Sequence, residues 1–61
     1  MPNYTCCFFD KAGHAVQPPE IIFADDDADA IAIAMTTPIA DPRCASIEVW
    51  RLLRFVYRHV F

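Results

Sequence analysis

Glycine is almost missing from this chain. Gly13 is the single one among 61 residues, so no part of the chain is a flexible glycine-rich linker. Cations are scarce over most of its length. Up to Pro42 the only one, histidine aside, is Lys11, set against Asp10, Glu20, Asp25, Asp26, Asp27, Asp29 and Asp41. The net charge of −3 argues against general binding to nucleic acid or to an anionic membrane surface. No apolar run approaches the roughly 20 residues of a membrane-spanning helix. No basic-then-apolar leader opens the chain, so no secretion signal is expected. Cysteine is present in an odd number, three, and without a Cys-x-x-Cys spacing. That excludes a closed disulfide framework and favours reduced thiols in a cytoplasmic setting.

Apolar residues are plentiful. They make up 56% of the chain against 21% charged, far from a disordered composition. A chain this short holds one domain, residues 1–61, and buries only about 60% of its unfolded surface. More apolar residues than so small a core can take implies that some face a second chain. The charge is also uneven: from Arg43 onward, Arg43, Arg51, Arg54 and Arg58 stand against Glu48 alone.

The stretch Asp25–Met35 carries the one clear helix signal. Asp25 or Asp26 can cap its first turn, and the remaining acids sit at the positive end of its dipole. Ala28, Ile31, Ala32 and Met35 follow the i, i+3, i+4, i+7 spacing of a buried face, which Ala30, Ile33 and Ala34 widen. Pro38 bars continuation. A calcium loop starting at Asp25 would need Gly at its sixth position and Glu at its twelfth, where Ala30 and Thr36 stand.

Strand signals fill the rest. Tyr4–Phe9 alternates Tyr4, Cys6 and Phe8 with Thr5, Cys7 and Phe9. Asp10-Lys11-Ala12-Gly13 is a turn in which Asp10 can bond the backbone two residues on and Gly13 can take positive φ. His14–Val16 starts a returning strand. Pro18-Pro19 interrupts it at a sheet edge or bulge, and Glu20–Ala24 resumes it. Ile39–Ala45, with Asp41-Pro42, is a loop. Ser46–Phe61 suits either a helix or a hairpin. Its density of Ile, Val, Trp, Phe and Tyr favours a hairpin of Ile47–Arg51 with Arg54–Val60, turning at Leu52-Leu53. A two-residue turn sets Val49 opposite Val56 and Trp50 opposite Phe55, although Leu-Leu is poor chemistry for such a turn.

The fold class is thus α+β, in the order β-hairpin, helix, β-hairpin (ββαββ), with one helix on one face of an antiparallel sheet. One helix cannot cover both faces. Regular alternation puts Trp50, Phe55, Tyr57 and Phe61 with Cys7 and Phe9 on the uncovered face, an interface for a homodimer. It puts Arg51, Arg54 and Arg58 together as a basic strip beside the helix.

In the order of these signals the chain resembles a group of small, uncharacterised bacterial proteins. They open Met-Pro and continue through an aromatic strand, Asp-x-x-Gly-His, an Asp- and Ala-rich helix, and a strand pair with Glu-x-Trp and Arg-x-Val. The matching residues are Met1-Pro2, Tyr4, Phe8, Asp10, Gly13-His14, Asp25-Asp26-Asp27, Ala28, Glu48, Trp50, Arg54 and Val56. The chain departs from them at Leu52-Leu53, where they tend to carry Gly or polar residues. The resemblance covers nearly the whole chain and implies the fold without an activity. The chain is also similar, more weakly, to antitoxin domains of the HicB type, which implies occlusion of a small RNase.

The side chains suited to a soft metal are Cys6, Cys7, Cys44, His14 and His59. No two of the cysteines have the spacing of a zinc site, so no metal or cofactor is expected. His14 is read as packing or capping at its turn, and His59 as surface or interface. The functional expectation is a non-catalytic interaction or regulatory module, a homodimer with a possible protein partner. The alternatives are an antitoxin-like binder and a small enzyme with its site at the dimer interface.

Overall fold

The computed structural model describes residues 2–61, so Met1 of the Met-Pro opening lies outside it. Five elements follow in order: β1 (Asn3–Phe9), β2 (Ala15–Phe23), α1 (Asp27–Thr36), β3 (Ser46–Arg51) and β4 (Arg54–Val60). The strands form one antiparallel sheet in the order β2-β1-β3-β4, the expected ββαββ arrangement. The two hairpins are joined side by side, with β1 pairing β3 at the centre.

The β1–β2 turn is built by Asp10. Its carboxylate accepts from the Ala12 and His14 N–H groups at 2.9 Å each, and Gly13 takes φ 84°. β2 runs through Pro18-Pro19 without breaking. Its register against β1 slips there, between the pairs Cys6↔Glu20 and Phe8↔Gln17. The prolines therefore occupy a bulge on an edge strand, where their missing N–H groups leave no ladder bond unmade.

Asp26 is the N-cap of α1, accepting from the Asp29 N–H at 2.8 Å. The hydroxyls of Thr36 and Thr37 both donate to the Ile33 carbonyl, closing the helix ahead of Pro38. The face turned to the sheet is Ala30 and Ala34, with Ile33 half-buried beside them. This corrects the stripe read from spacing, since Ala28, Ala32 and Met35 are exposed and Ile31 only partly covered. The helix body is apolar on nearly every side, so spacing alone did not choose a face. Asp27, on the same side as Ala30 and Ala34, reaches the sheet, where its carboxylate accepts from the Tyr4 hydroxyl (2.8 Å) and from two Arg54 nitrogens (2.8 and 2.9 Å). Under the helix lies the core of Tyr4, Cys6, Phe8, Ile22, Ile47 and Val49, with Ala24.

The β3–β4 hairpin turns at Leu52-Leu53, and Leu52 takes φ 55° to make it. Trp50 opposes Phe55 as alternation requires. Beyond that pair the register shifts by one residue, so that Val49 opposes Tyr57 and not Val56. Val56 is the extra residue of a β-bulge, and every side chain after it changes face.

Candidate interaction face

Among the described residues, no element covers the sheet face away from α1. Across its four strands runs the row Ile21, Thr5, Trp50, Phe55; beyond it lie Cys7, Glu48 and Arg58, then Phe9, Ser46 and Val60. Phe23, Ile21, Phe55 and Val60 are exposed here, and Trp50, Cys7 and Phe9 are half-buried. The Trp50 and Phe55 rings meet edge to face, with centroids 5.5 Å apart and planes at 78°. The Trp50 indole N–H donates to Glu48 at 2.9 Å, so its one polar atom is satisfied within the face. The Arg58 guanidinium lies 3.9 Å from the same carboxylate. Burial, and then the Glu48 charge, raise the Cys7 thiol above its ordinary value, which keeps it protonated and a weak nucleophile.

Of the residues expected on this face, the structure brings together Cys7, Phe9, Trp50 and Phe55. Tyr57 and Phe61 are corrections. The bulge at Val56 turns Tyr57 onto the helix side, where it packs against the core. Phe61 follows His59 to that side, their rings 4.9 Å apart at the far end of the sheet. The basic strip is likewise divided. Arg51 and Arg54 oppose each other on the helix side, while Arg58 lies on the open face. Arg51 stands over the Tyr4 ring at 5.9 Å, and Arg54 is held by Asp27. Ile21, Phe23 and Val60 were not anticipated here. Alternation along Glu20–Phe23 contains the signal for the first two, once Ile22 is taken as the core residue.

The helix side carries the bidentate pair of Asp27 with Arg54. The Arg54 guanidinium, and then the Tyr4 hydroxyl, hold the Asp27 carboxyl at about 2, and the same hydrogen bond raises Tyr4. Burial pushes the Cys6 thiol up to about 11. A hollow of about 550 Å³ lies between the first turn and the loop before β3, with Asp10, Lys11, Arg43, Cys44 and Phe61 on its wall. Its polar groups hold the loops that form it. Asp10 caps its own turn, and Arg43 donates twice to Asp41, at 3.1 and 2.8 Å. The side chain of His14 is solvent-exposed and lies 4.0 Å from Asp10. Cys6, Cys7 and Cys44 are all free thiols. Among the described residues no three His, Cys, Asp or Glu side chains converge on a metal-sized site, and no helix is long and apolar enough to cross a membrane.

No family model matches the chain, and neither does any curated protein or solved structure.

Proposed function

We propose that the chain is a non-catalytic interaction module that works as a homodimer, with the open face of its sheet as the interface. The observation that carries this reading is the apolar surface of that face, from Phe23 and Ile21 through Trp50 and Phe55 to Val60. A folded monomer rarely leaves so continuous an apolar patch in water. Fully burying an exposed large side chain contributes roughly 1.5–3 kcal/mol, and these, about half-exposed, have correspondingly less to gain each. A stable interface takes about 800 Å² from each partner, a modest share of the 3980 Å² this chain exposes. Trp50, Glu48 and Arg58 on the face are already paired with one another, which lowers the cost of drying it. The arginines do not form a phosphate-binding strip, because Asp27 engages Arg54 and Glu48 faces Arg58. Three unpaired thiols suit a reducing cytoplasm.

Molecular mass in solution at micromolar concentration tests the reading. Wild type is expected at twice the chain mass. Trp50→Asp buries an unpaired charge at the centre of the face and should weaken association by about 3 kcal/mol, roughly 100-fold, with the circular dichroism of the fold retained. A wild-type monomer would overturn the homodimer. A monomer that co-purifies one to one with a small basic RNase would assign the face to that partner, as an antitoxin does.

A further inference from the structure

We infer that the outer edge of β4, over residues 57–60, is a docking edge for an extended acidic segment of another protein, which adds to the sheet as a further strand. This edge is separate from the open face, and its use does not depend on the homodimer.

The sheet has two edges, β2 and β4. Pro18 and Pro19 remove two N–H groups from β2, and its register slips beside them. β4 has no proline. Its bulge lies near the turn, at Val56, and beyond it the pairing with β3 is regular from Tyr57 to Val60. A bulge blunts an edge where it stands, and the regular stretch after it keeps the repeat that a further strand needs.

The end of the strand fixes the backbone direction. The Phe61 N–H donates inward to the Ala45 carbonyl at 3.0 Å. Backbone groups of successive residues point to alternate sides of a strand, so His59 and Tyr57 also face β3. Arg58 and Val60 turn theirs outward, where no strand pairs with them among the described residues. Each offers one N–H and one C=O, the groups from which strand addition at a sheet edge gains its affinity.

Charge selects the partner. β4 carries Arg54, Arg58 and His59 and no acid. Asp27 holds Arg54 in a bidentate pair. Arg58 is 54% exposed, and its guanidinium stands 3.9 Å from Glu48, beyond hydrogen-bond reach. That carboxylate already accepts the Trp50 indole N–H. The donors of Arg58 are thus open to a carboxylate on a neighbouring strand, where opposite charges side by side stabilise the pairing. A second β4 would set bases against bases, and a second β2 brings its prolines. An acidic strand complements the edge better than either.

The probe is a short blocked peptide of alternating Glu and Val, with its Lys and Val counterpart as control. Amide spectra of the full chain follow each titration. The Glu peptide should shift the Arg58 and Val60 amides and slow their hydrogen exchange, leaving Gln17 and Glu20 at the other edge unchanged. The Lys peptide should bind about fivefold more weakly or worse, because an ion pair becomes a like-charge contact. Arg58→Glu should reverse that preference. Val60→Pro should weaken Glu-peptide binding with the circular dichroism of the fold retained, because the N–H it removes lies outside the ladder. Silent Arg58 and Val60 amides at millimolar Glu peptide, equal binding of the two peptides, or an unchanged preference in Arg58→Glu would each overturn the inference. So would protection of those amides that grows with protein concentration alone, which would assign the edge to a second copy. A monomeric wild type that binds the Glu peptide as expected would overturn the homodimer and leave the edge standing.

Discussion

Leu52 sets the terms at the scale of single residues. A side chain at φ 55° carries strain of roughly 1–2 kcal/mol that glycine does not. Leu52→Gly returns about 0.4–1 kcal/mol of that through the freer unfolded chain. The isolated protomer should therefore gain about 0.5–1 kcal/mol, read as a higher urea midpoint at concentrations below dimerisation. Val56 is the other decisive residue, and it was not legible. Arg54–Val60 satisfies strand alternation in either register, and nothing in its residue types marks the extra one. The Trp50–Phe55 pair lies between the turn and the bulge, so it was readable. Tyr57, Arg58 and Phe61 lie beyond the bulge, and their faces were read in reverse.

At the scale of elements, α1 shows what spacing leaves open. An apolar body offers several stripes of equal quality, and the one buried here is accompanied by a long-range contact, Asp27 with Tyr4 and Arg54, that local spacing does not reveal. The face that results is small-residue on purpose of distance: Ala30 and Ala34 let the helix lie close against β2 and β3. Ala30→Leu should force the two layers apart and cost about 1–3 kcal/mol. Ala32→Leu, on the exposed side, should stay within about 0.5 kcal/mol of wild type. Chemical denaturation of the pair separates the observed face from the one spacing suggested. Elements whose cause is local were legible in detail. The Asp10–Gly13 turn, the aspartate cap, the stop before Pro38 and the proline bulge in β2 each arise from residues within a few positions of one another.

At the scale of the whole molecule, two carboxylate–guanidinium pairs tie its parts together, and acid exposes them. The Asp27 and Asp41 carboxyls are held at about 2, below an ordinary value of 3.8, by Arg54 and Arg43 in turn. A carboxyl lowered in the folded state contributes stability that is complete above its unfolded value and lost as pH falls through the folded one. Stability should thus decline between about pH 4 and pH 2. Asp41 and Arg43 are two positions apart and can meet in the unfolded chain as well, whereas Asp27 and Arg54 meet only when helix and hairpin are both in place. Asp27→Asn should therefore flatten the thermal-melting profile across that window more than Asp41→Asn does. The two edges of the sheet differ in a way that bears on growth. Pro18 and Pro19 leave β2 with no donor N–H at either position, while β4 contains no proline. A chain with one receptive edge can recruit a single neighbour by strand addition, β4 against β4, and that neighbour presents only its own blocked edge. Strand addition through the sheet edges alone therefore stops at two chains.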